Sequence, residues 1–258
     1  MRRISWRFLK VWKRNLVTYR KIWKINFLTP LLEPILYIMA FGLGFSGLVG
    51  EVRYGDALLS YTDFIAPALV ATAIMYNSFF ETTYASFVRM YYQKTFDAML
   101  ATPLSLEEII VAEIVWSATK AVGAAAIMLF VLGLFGYIRF PSGLLLIPVA
   151  FLGGLSFGAV GLFFTGITPS IEMFNLPIFL FITPMFLFSG TFFPISNLPV
   201  WAQPLALAFP LHHLVELTRR FALGVHVTAT ALSLGYLVLF FLLFSVLAMS
   251  AMRKRLIK

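Results

Sequence analysis

Four polar side chains near the end of the chain are of types that could do chemistry. Ser189 lies upstream of the adjacent pair His212 and His213, and Glu216 follows one helical turn later. A serine, a histidine and a carboxylate can form a hydrolase triad, and histidines with a carboxylate can bind zinc. Adjacent histidines on a helix point in different directions, however, and no G-x-S-x-G sequence surrounds the serine. We therefore expect structural roles here, with neither an enzyme active site nor a metal site.

Three further ionisable residues lie in or near long apolar runs. These are Glu33, Glu81 and Lys120. A charge at the centre of a bilayer costs at least about 2.5–3.5 kcal/mol on insertion scales, so such residues are usually functional or mutually paired. A third possibility is that they lie near the membrane boundary, where long side chains reach water.

The composition indicates an α-helical integral membrane protein. Of 258 residues, 60% are hydrophobic and 12% are charged, about half the charged fraction of a soluble domain. The apolar runs are continuous, which disfavours a β-barrel. The net charge of +9 is concentrated before the first run and after the last, which fits membrane flanks and not nucleic-acid binding. Basic residues throughout the first 24 positions do not resemble a cleavable signal peptide.

The hydropathy pattern predicts a single transmembrane domain over residues 1–258. Residues 1–27 combine basic and aromatic side chains at helical spacing, which predicts a helix in the headgroup layer. Residues 251–258 form a basic tail. Six spans of about 20 residues each are predicted between them, at 28–49, 64–88, 112–137, 143–167, 174–193 and 229–250. An even number of spans puts both termini on the same side of the membrane, and the basic residues at both ends place that side in the cytoplasm. The expected location is the inner membrane of the cell.

The segment 194–228 is external by this count, yet too apolar for a free loop and too rich in proline to span. Irregular backbone in hydrocarbon must be covered by protein. We therefore predict a re-entrant helical hairpin between the fifth and sixth spans. Proline residues break its backbone, Trp201 and the two histidines anchor it at the outer interface, and Glu216 pairs with a neighbouring arginine. The residues that we assign to this hairpin are Pro194, Pro199, Trp201, Pro210, His212, His213 and Glu216.

The connection at 89–113 is polar but patterned. Pro103 precedes Ser105, a plausible helix cap, and Glu107 and Glu108 fall in the first turn that would follow. Before the proline, aromatic residues and methionines stand among few charges, a composition typical of protein interfaces. The residues alone leave two interpretations open, an ordinary loop or a docking segment for a partner.

Two stretches resemble one family. "FLFSGTFFPISNLPVW" followed by "PLHHLVELTR" resembles the permeases of ABC-2 type transporters. "YQKTFDAMLATPLSLEEIIVAEIVWSATK", with "YTDFIAPALVA", is similar to the nodulation-protein-J branch, whose members are membrane subunits of lipo-oligosaccharide exporters. The resemblance covers essentially the whole chain.

This resemblance implies a permease that works as a dimer, expected to be a homodimer, with two copies of a separate ATPase subunit. The sequence contains no G-x-x-x-x-G-K-[ST], so ATP and Mg²⁺ belong to that partner and no cofactor is expected on this chain. The resemblance also assigns a coupling role to the 89–113 connection, at Tyr91, Tyr92, Lys94, Phe96, Asp97, Met99 and Pro103.

The expected cargo is an amphipathic or glycan-containing molecule that passes outward through the lipid membrane. Candidate residues of its path or gate are Glu33, Glu81, Phe188, Phe192 and Phe193. The alternative is an ion-coupled secondary transporter or channel. That class needs ion-binding residues in paired broken helices, and the sequence offers few such residues and no evident inverted repeat.

Overall fold

The computed structural model of the chain is mostly helical. It describes residues 5–45, 50–54, 57–224 and 230–257. Parts of the predicted elements lie outside these ranges: the first four residues of the interfacial helix, the end of the first span at 46–49, the junction of the hairpin with the sixth span at 225–229, and residue 258.

The chain begins with two consecutive helices. Helix α1, Phe8–Lys21, carries basic residues outward and buries Val11. The helix is interrupted at Ile22, and α2 then covers Trp23–Tyr37 and continues as π-helix over Ile38–Phe45. The interfacial helix is thus separate from the next one, as expected, but the second helix starts before the predicted boundary at residue 28.

A short antiparallel hairpin follows, which the all-helical prediction did not include. Strand β1, Val52–Tyr54, pairs with β2, Ala57–Leu59, and Val52 lies opposite Leu59. Alternating exposure along both strands shows that one face of the hairpin packs against the protein. The hairpin positions Tyr54 over the start of the next helix.

Helix α3, Tyr61–Tyr92, is the central element. Ser60 caps its N-terminus by accepting a hydrogen bond from the backbone of Asp63. Its most apolar stretch is 78% buried, whereas that of the last helix is 17% buried. Two π-helical turns, Glu81–Ala85 and Val88–Tyr92, widen its second half. Such turns are rare and occur frequently at functional sites.

The connection after α3 has the predicted form. Lys94 adopts a left-handed conformation, with φ of 53°, and turns the chain into the short helix α4, Thr95–Leu100. Helix α5, Leu106–Leu134, begins with a complete capping box. Ser105 accepts from the Glu108 amide, and the Glu108 carboxylate accepts from the Ser105 amide. The predicted cap is therefore confirmed.

Helix α6, Leu146–Ile167, follows a 3-10 turn at Ser142–Leu145 and packs closely on α5. A Cβ atom on Gly154 would lie 2.6 Å from the Ala118 Cα, and one on Gly158 would lie 2.1 Å from the Ser117 Oγ. Only glycine allows the backbones to approach this far, as is common between membrane helices.

The last four helices are α7, Glu172–Phe188, α8, Gln203–Ala208, α9, Pro210–Leu223, and α10, Thr230–Leu256. Two predicted boundaries were wrong. The fifth apolar helix ends at Phe188 and not at 193, because Gly190 takes a positive φ of 80° and turns the chain. The basic tail is not a separate element, because α10 continues through Arg253–Arg255 with Met252 buried.

Within the described ranges, four helices are long and apolar enough to cross a membrane. They cover Tyr61–Tyr92, Leu106–Leu134, Ser142–Ile167 and Thr230–Leu256. Shorter apolar helices, Pro30–Phe41 and Glu172–Phe188, occupy the positions of the predicted first and fifth spans.

Two main apolar clusters hold these helices together. The larger one is built around α3 and includes Phe79, Phe157 and Leu214. The second lies at the other end of α3, where Phe87 and Phe96 pack with residues of α1, α5 and α10. The second cluster supports the connection between α3 and α5.

Candidate functional site

The connection between α3 and α5 presents an exposed surface. The side chains of Tyr91 and Tyr92 are 51% and 59% exposed, and Lys94 and Asp97 are also exposed. The Lys94 ammonium lies 5.3 Å from the centre of the Tyr91 ring, a cation–π contact. Pro103 is exposed at the far end of the segment. These residues form a continuous stretch that another protein can reach.

Two predicted contact residues of this segment do not belong to its surface. Phe96 is fully buried and Met99 is 8% exposed, both inside the second apolar cluster. Their spacing of three residues on α4 puts them on the inner face of that helix. Neither side chain is exposed to a partner in this structure, because both attach α4 to the rest of the protein, and their coupling role stays a prediction.

Helix α1 braces the same segment from the side. Arg7 donates a hydrogen bond of 2.9 Å from Nη1 to the Pro103 carbonyl, and the Ser5 hydroxyl donates to the Glu108 carboxylate. Arg14 donates from Nη2 to the Thr95 hydroxyl at 3.4 Å. Both ends of the α4 region are therefore tied to one amphipathic helix.

A buried ionic network lies beneath this brace. Arg89 donates to Glu81 at 2.8 Å from Nη1 and to Glu113 from Nη2. Lys120 Nζ lies 2.7 Å from the second oxygen of Glu81. The Trp116 indole N–H also donates to Glu81, at 2.9 Å. Of the alternatives left open for these residues, mutual pairing holds for Glu81 and Lys120, and the pair extends to an arginine and a second carboxylate.

The network is balanced in charge, and both of its carboxylates accept several hydrogen bonds. Two carboxylates face two cations, and Glu113, which is fully buried, also accepts from the Asn15 amide at 2.9 Å and the Ser86 hydroxyl at 2.5 Å. Buried charges of this kind contribute little net stability, but removal of one partner is strongly destabilising. The network thus fixes α1, α3 and α5 in one arrangement.

Glu33 and Glu81 line one open groove of about 910 Å³ between α2 and α3. Glu33 is half-buried and hydrogen-bonded to Tyr37, whereas Glu81 lies at the end where Lys120 enters. The remaining lining is mostly apolar, with Leu32 among the exposed side chains. The structure therefore brings two of the predicted path residues to the same groove.

The predicted phenylalanines do not reach that groove. Phe192 and Phe193 line a separate cavity of about 560 Å³ beside the β-hairpin, and the Phe192 ring contacts Phe186 at 4.9 Å between ring centres. Phe188 is 38% exposed on α7. The five residues named as one path thus lie at separate places, the groove and the opposite end of the helices.

A buried arginine organises the segment after α7. Arg219 is 1% exposed, and its guanidinium donates to the carbonyl oxygens of Phe64 at 3.0 Å, Gly190 at 2.7 Å and Thr191 at 3.2 Å. The Phe64 ring lies 3.6 Å from the guanidinium carbon. This one side chain therefore joins α9 to α3 and to the turn after α7.

Glu216 completes this outer cluster. It lies 3.9 Å from Arg219, and the Tyr54 hydroxyl donates to its other oxygen. Burial, and next the nearby Glu216 carboxylate, raise the pKa of Tyr54 well above its ordinary value, so the hydroxyl remains a donor. The predicted pairing of Glu216 with a neighbouring arginine is confirmed.

The histidines have a different place from the one predicted. His212 and His213 are 8% and 4% exposed, so they are internal and do not anchor an interface. His213 stacks on Tyr236 at 4.0 Å and contacts the Ser233 hydroxyl, which links α9 to α10. Both imidazole rings are buried in the protein because the residues around them in the sequence are apolar. Trp201, by contrast, is 71% exposed.

The proline residues occupy the breaks in this segment. Pro194 precedes a 3-10 turn at Ile195–Asn197, and Pro199 accepts the turn bond from Ala202. Pro210 is the first residue of α9, where its missing N–H costs nothing. The predicted short helices and proline breaks are present.

Sequence reasoning missed Arg89 and Glu113 as members of the ionic network, and Arg14 as a brace of α4. Arg89 and Glu113 were counted with a polar connection, although Glu113 stands in an apolar run. An ionisable residue in such a run is the signal that would have found it. Tyr54 carried no comparable signal, because its partner is 162 positions away.

Long apolar helices joined by a buried ionic network define an α-helical integral membrane protein. The ABC-2 type transporter family matches residues 7–223, and the protein belongs to that family. The chain is similar to nodulation protein J of Rhizobium leguminosarum bv. trifolii, at 36% identity over 98% of this chain and 95% of the relative. It is also similar to nodulation protein J of Rhizobium meliloti (strain 1021), at 34% identity over 98% and 95%. A probable multidrug ABC transporter permease, YbhR of Escherichia coli (strain K12), is 29% identical over 63% of this chain and 44% of its own length.

Membership of this family makes the chain a membrane transport subunit that associates with an ABC ATPase.

Proposed function

We propose that the protein is the permease subunit of an ATP-driven exporter that moves an amphipathic, lipo-oligosaccharide-like molecule outward. It works as a homodimer with two copies of a separate ATPase, which binds ATP and Mg²⁺. The similarity to nodulation protein J over nearly the whole chain supports the substrate class. The observation that carries the coupling role is the exposed stretch of Tyr91, Tyr92, Lys94 and Asp97 on a braced segment.

The proposed mechanism starts at this exposed stretch. Closure of the ATPase pushes on α4, and Phe96 and Met99 pass the force into the second apolar cluster. Because Arg7 and Arg14 connect the segment to α1, that helix moves with it. The ionic network then carries the displacement to α3 and α5, which border the groove.

In the proposed topology the protein crosses the inner membrane six times, and both termini lie in the cytoplasm. The two shorter apolar helices supply the first and fifth spans. Residues 194–228 form the re-entrant outer hairpin, and Arg219 fixes it to α3. The chain has no cysteine, so single cysteines can be introduced without background. A membrane-impermeant maleimide added to intact cells should label Val200→Cys and not Lys13→Cys.

The coupling role is tested with exposed residues. Tyr91→Ala and Tyr92→Ala should reduce co-purification with a candidate ABC ATPase, and they should abolish ATP-dependent uptake of a fluorescent acylated oligosaccharide into inverted vesicles. Trp201→Ala, at an aromatic residue that is also exposed but lies in the outer segment, is the matched control. Unchanged co-purification of both tyrosine variants contradicts the coupling assignment. Transport driven by an ion gradient without the ATPase favours the secondary transporter instead.

A further inference from the structure

A second cavity opens beside the groove. It has a volume of about 440 Å³ and lies between α1, the π-helical turns of α3 and the first half of α5. Glu81, Tyr84, Ala85 and Lys120 line both this chamber and the groove. The two spaces therefore adjoin, and the Glu81–Lys120 pair lies between them.

The chamber carries an excess of positive charge. Arg14, Arg89 and Lys120 line it, and the carboxylates bonded to them are Glu81 and Glu113. Three cations against two carboxylates leave one net positive charge, and Arg14 is the cation without a carboxylate within salt-bridge distance among the described residues. Arg14 donates instead to the neutral side chains of Asn15 and Thr95.

The chamber also retains hydrogen-bond donors. Lys120 is 21% exposed and uses its ammonium group on Glu81 at 2.7 Å, which leaves further N–H donors on the same nitrogen. An anion in the chamber would meet a neutral network with one additional cation and several donors, without a need to break the network.

The groove, in contrast to the charged chamber, is lined mostly by apolar side chains. Leu28, Leu32 and Leu36 form one face of α2 at intervals of four residues, and each is at least 44% exposed. From Leu28 to Leu36 the helix rises about 12 Å, close to the depth of one hydrocarbon leaflet. Phe80 of α3 lies across from them. Glu33 stands beside this apolar row and disfavours an anion farther along the groove.

We propose that the chamber and groove together bind an inner-leaflet lipid with an anionic headgroup, with the headgroup between Arg14 and Lys120 and an acyl chain along Leu28, Leu32 and Leu36. A free anion would fit the chamber but would leave the apolar row unexplained. A neutral lipid would fit the groove but would not use the additional cation. This assignment deepens the proposed export function, because it places an entry site for an amphiphile next to the coupling network.

The test uses the full chain purified in detergent without any ATPase. Native mass spectrometry measures binding of phosphatidylglycerol, which is anionic, and of diacylglycerol, which has no phosphate and no charge. Phosphatidylglycerol should bind at least about tenfold more tightly, because a charge-assisted hydrogen bond contributes this much or more. Equal binding of the two lipids overturns the proposal.

Two variants separate the headgroup site from the acyl site. Arg14→Gln should weaken phosphatidylglycerol binding about tenfold, and Lys13→Gln, an exposed neighbour on the same helix, should not. Leu32→Trp should obstruct the groove and weaken binding, whereas Leu239→Trp, which is 69% exposed on α10, should not. Both test residues lie outside the apolar clusters, so these variants should fold.

An excess of inorganic phosphate distinguishes a lipid from a free anion. If phosphate displaces phosphatidylglycerol completely and Leu32→Trp has no effect, the site binds a soluble anion and the lipid assignment is wrong. Equal effects of Arg14→Gln and Lys13→Gln also overturn it. ATP-dependent export can persist in either case, so failure of this site is distinguishable from failure of the export function.

Discussion

Removal of Arg89 should strongly destabilise the protein. The variant Arg89→Met keeps much of the side-chain volume but deletes the charge that joins Glu81 to Glu113. Lys120 still pairs with Glu81, whereas Glu113, fully buried, keeps only neutral donors from Asn15 and Ser86. Loss of one partner of a buried pair costs about 3–5 kcal/mol.

This loss should lower the midpoint of thermal unfolding by about 10 °C for a chain of this size. The assay is thermal unfolding of the purified protein in detergent, followed by intrinsic tryptophan fluorescence. Arg139→Met, at an exposed arginine, is the matched control and should leave the midpoint nearly unchanged.

A double variant tests whether the loss of stability is caused by the unpaired carboxylate. Arg89→Met combined with Glu113→Gln removes the unpaired charge together with its partner, so most of the lost stability should return. If the double variant is no more stable than Arg89→Met alone, electrostatics is not the cause. If Arg89→Met matches Arg139→Met, the network does not fix these helices.

Three further substitutions test the packing and capping. Gly158→Val should lower the free energy of unfolding by about 1–3 kcal/mol, because its Cβ would lie 2.1 Å from the Ser117 Oγ. Gly123→Val, where no atom lies within 4 Å of the new Cβ, should lower it far less. Equal thermal midpoints of the two variants would contradict the close packing of α5 on α6. Arg219→Lys should lower the midpoint and increase proteolysis of the outer segment, since an ammonium cannot reach three carbonyl oxygens in a planar fork, and unchanged protection would argue against the joining role. Ser105→Ala should remove about 1 kcal/mol through loss of the helix cap, and a midpoint equal to that of the parent protein would show that the capping box is not needed.

Local signals in the sequence predicted local structure well. The Ser105 cap depends on residues within one helical turn, and the structure contains it. Gly154 and Gly158 also stand inside one apolar run of the sequence, a pattern common where membrane helices pack closely. The helix from Tyr61 to Tyr92 extends beyond the predicted span of 64–88 because its polar end is satisfied by buried partners, which hydropathy does not register.

Contacts between distant residues were not accessible in the same way. Phe96 and Met99 have interface-like types, but burial of α4 depends on α1, α5 and α10, which the sequence does not place beside it. His212 and His213 were expected outside because polar rings favour an interface, yet α10 covers them. The number of spans and the re-entrant hairpin stay predictions, because helix length and composition alone do not fix a membrane boundary.

The length of α3 has a mechanical consequence. A helix of 32 residues is about 48 Å long, whereas the hydrocarbon layer is about 30 Å thick. Either roughly 18 Å of α3 projects beyond the hydrocarbon layer, or the helix is tilted within that layer. A lateral force on α4 acts on the Tyr92 end of this helix through a lever arm, and the two π-helical turns lie in that half of the helix.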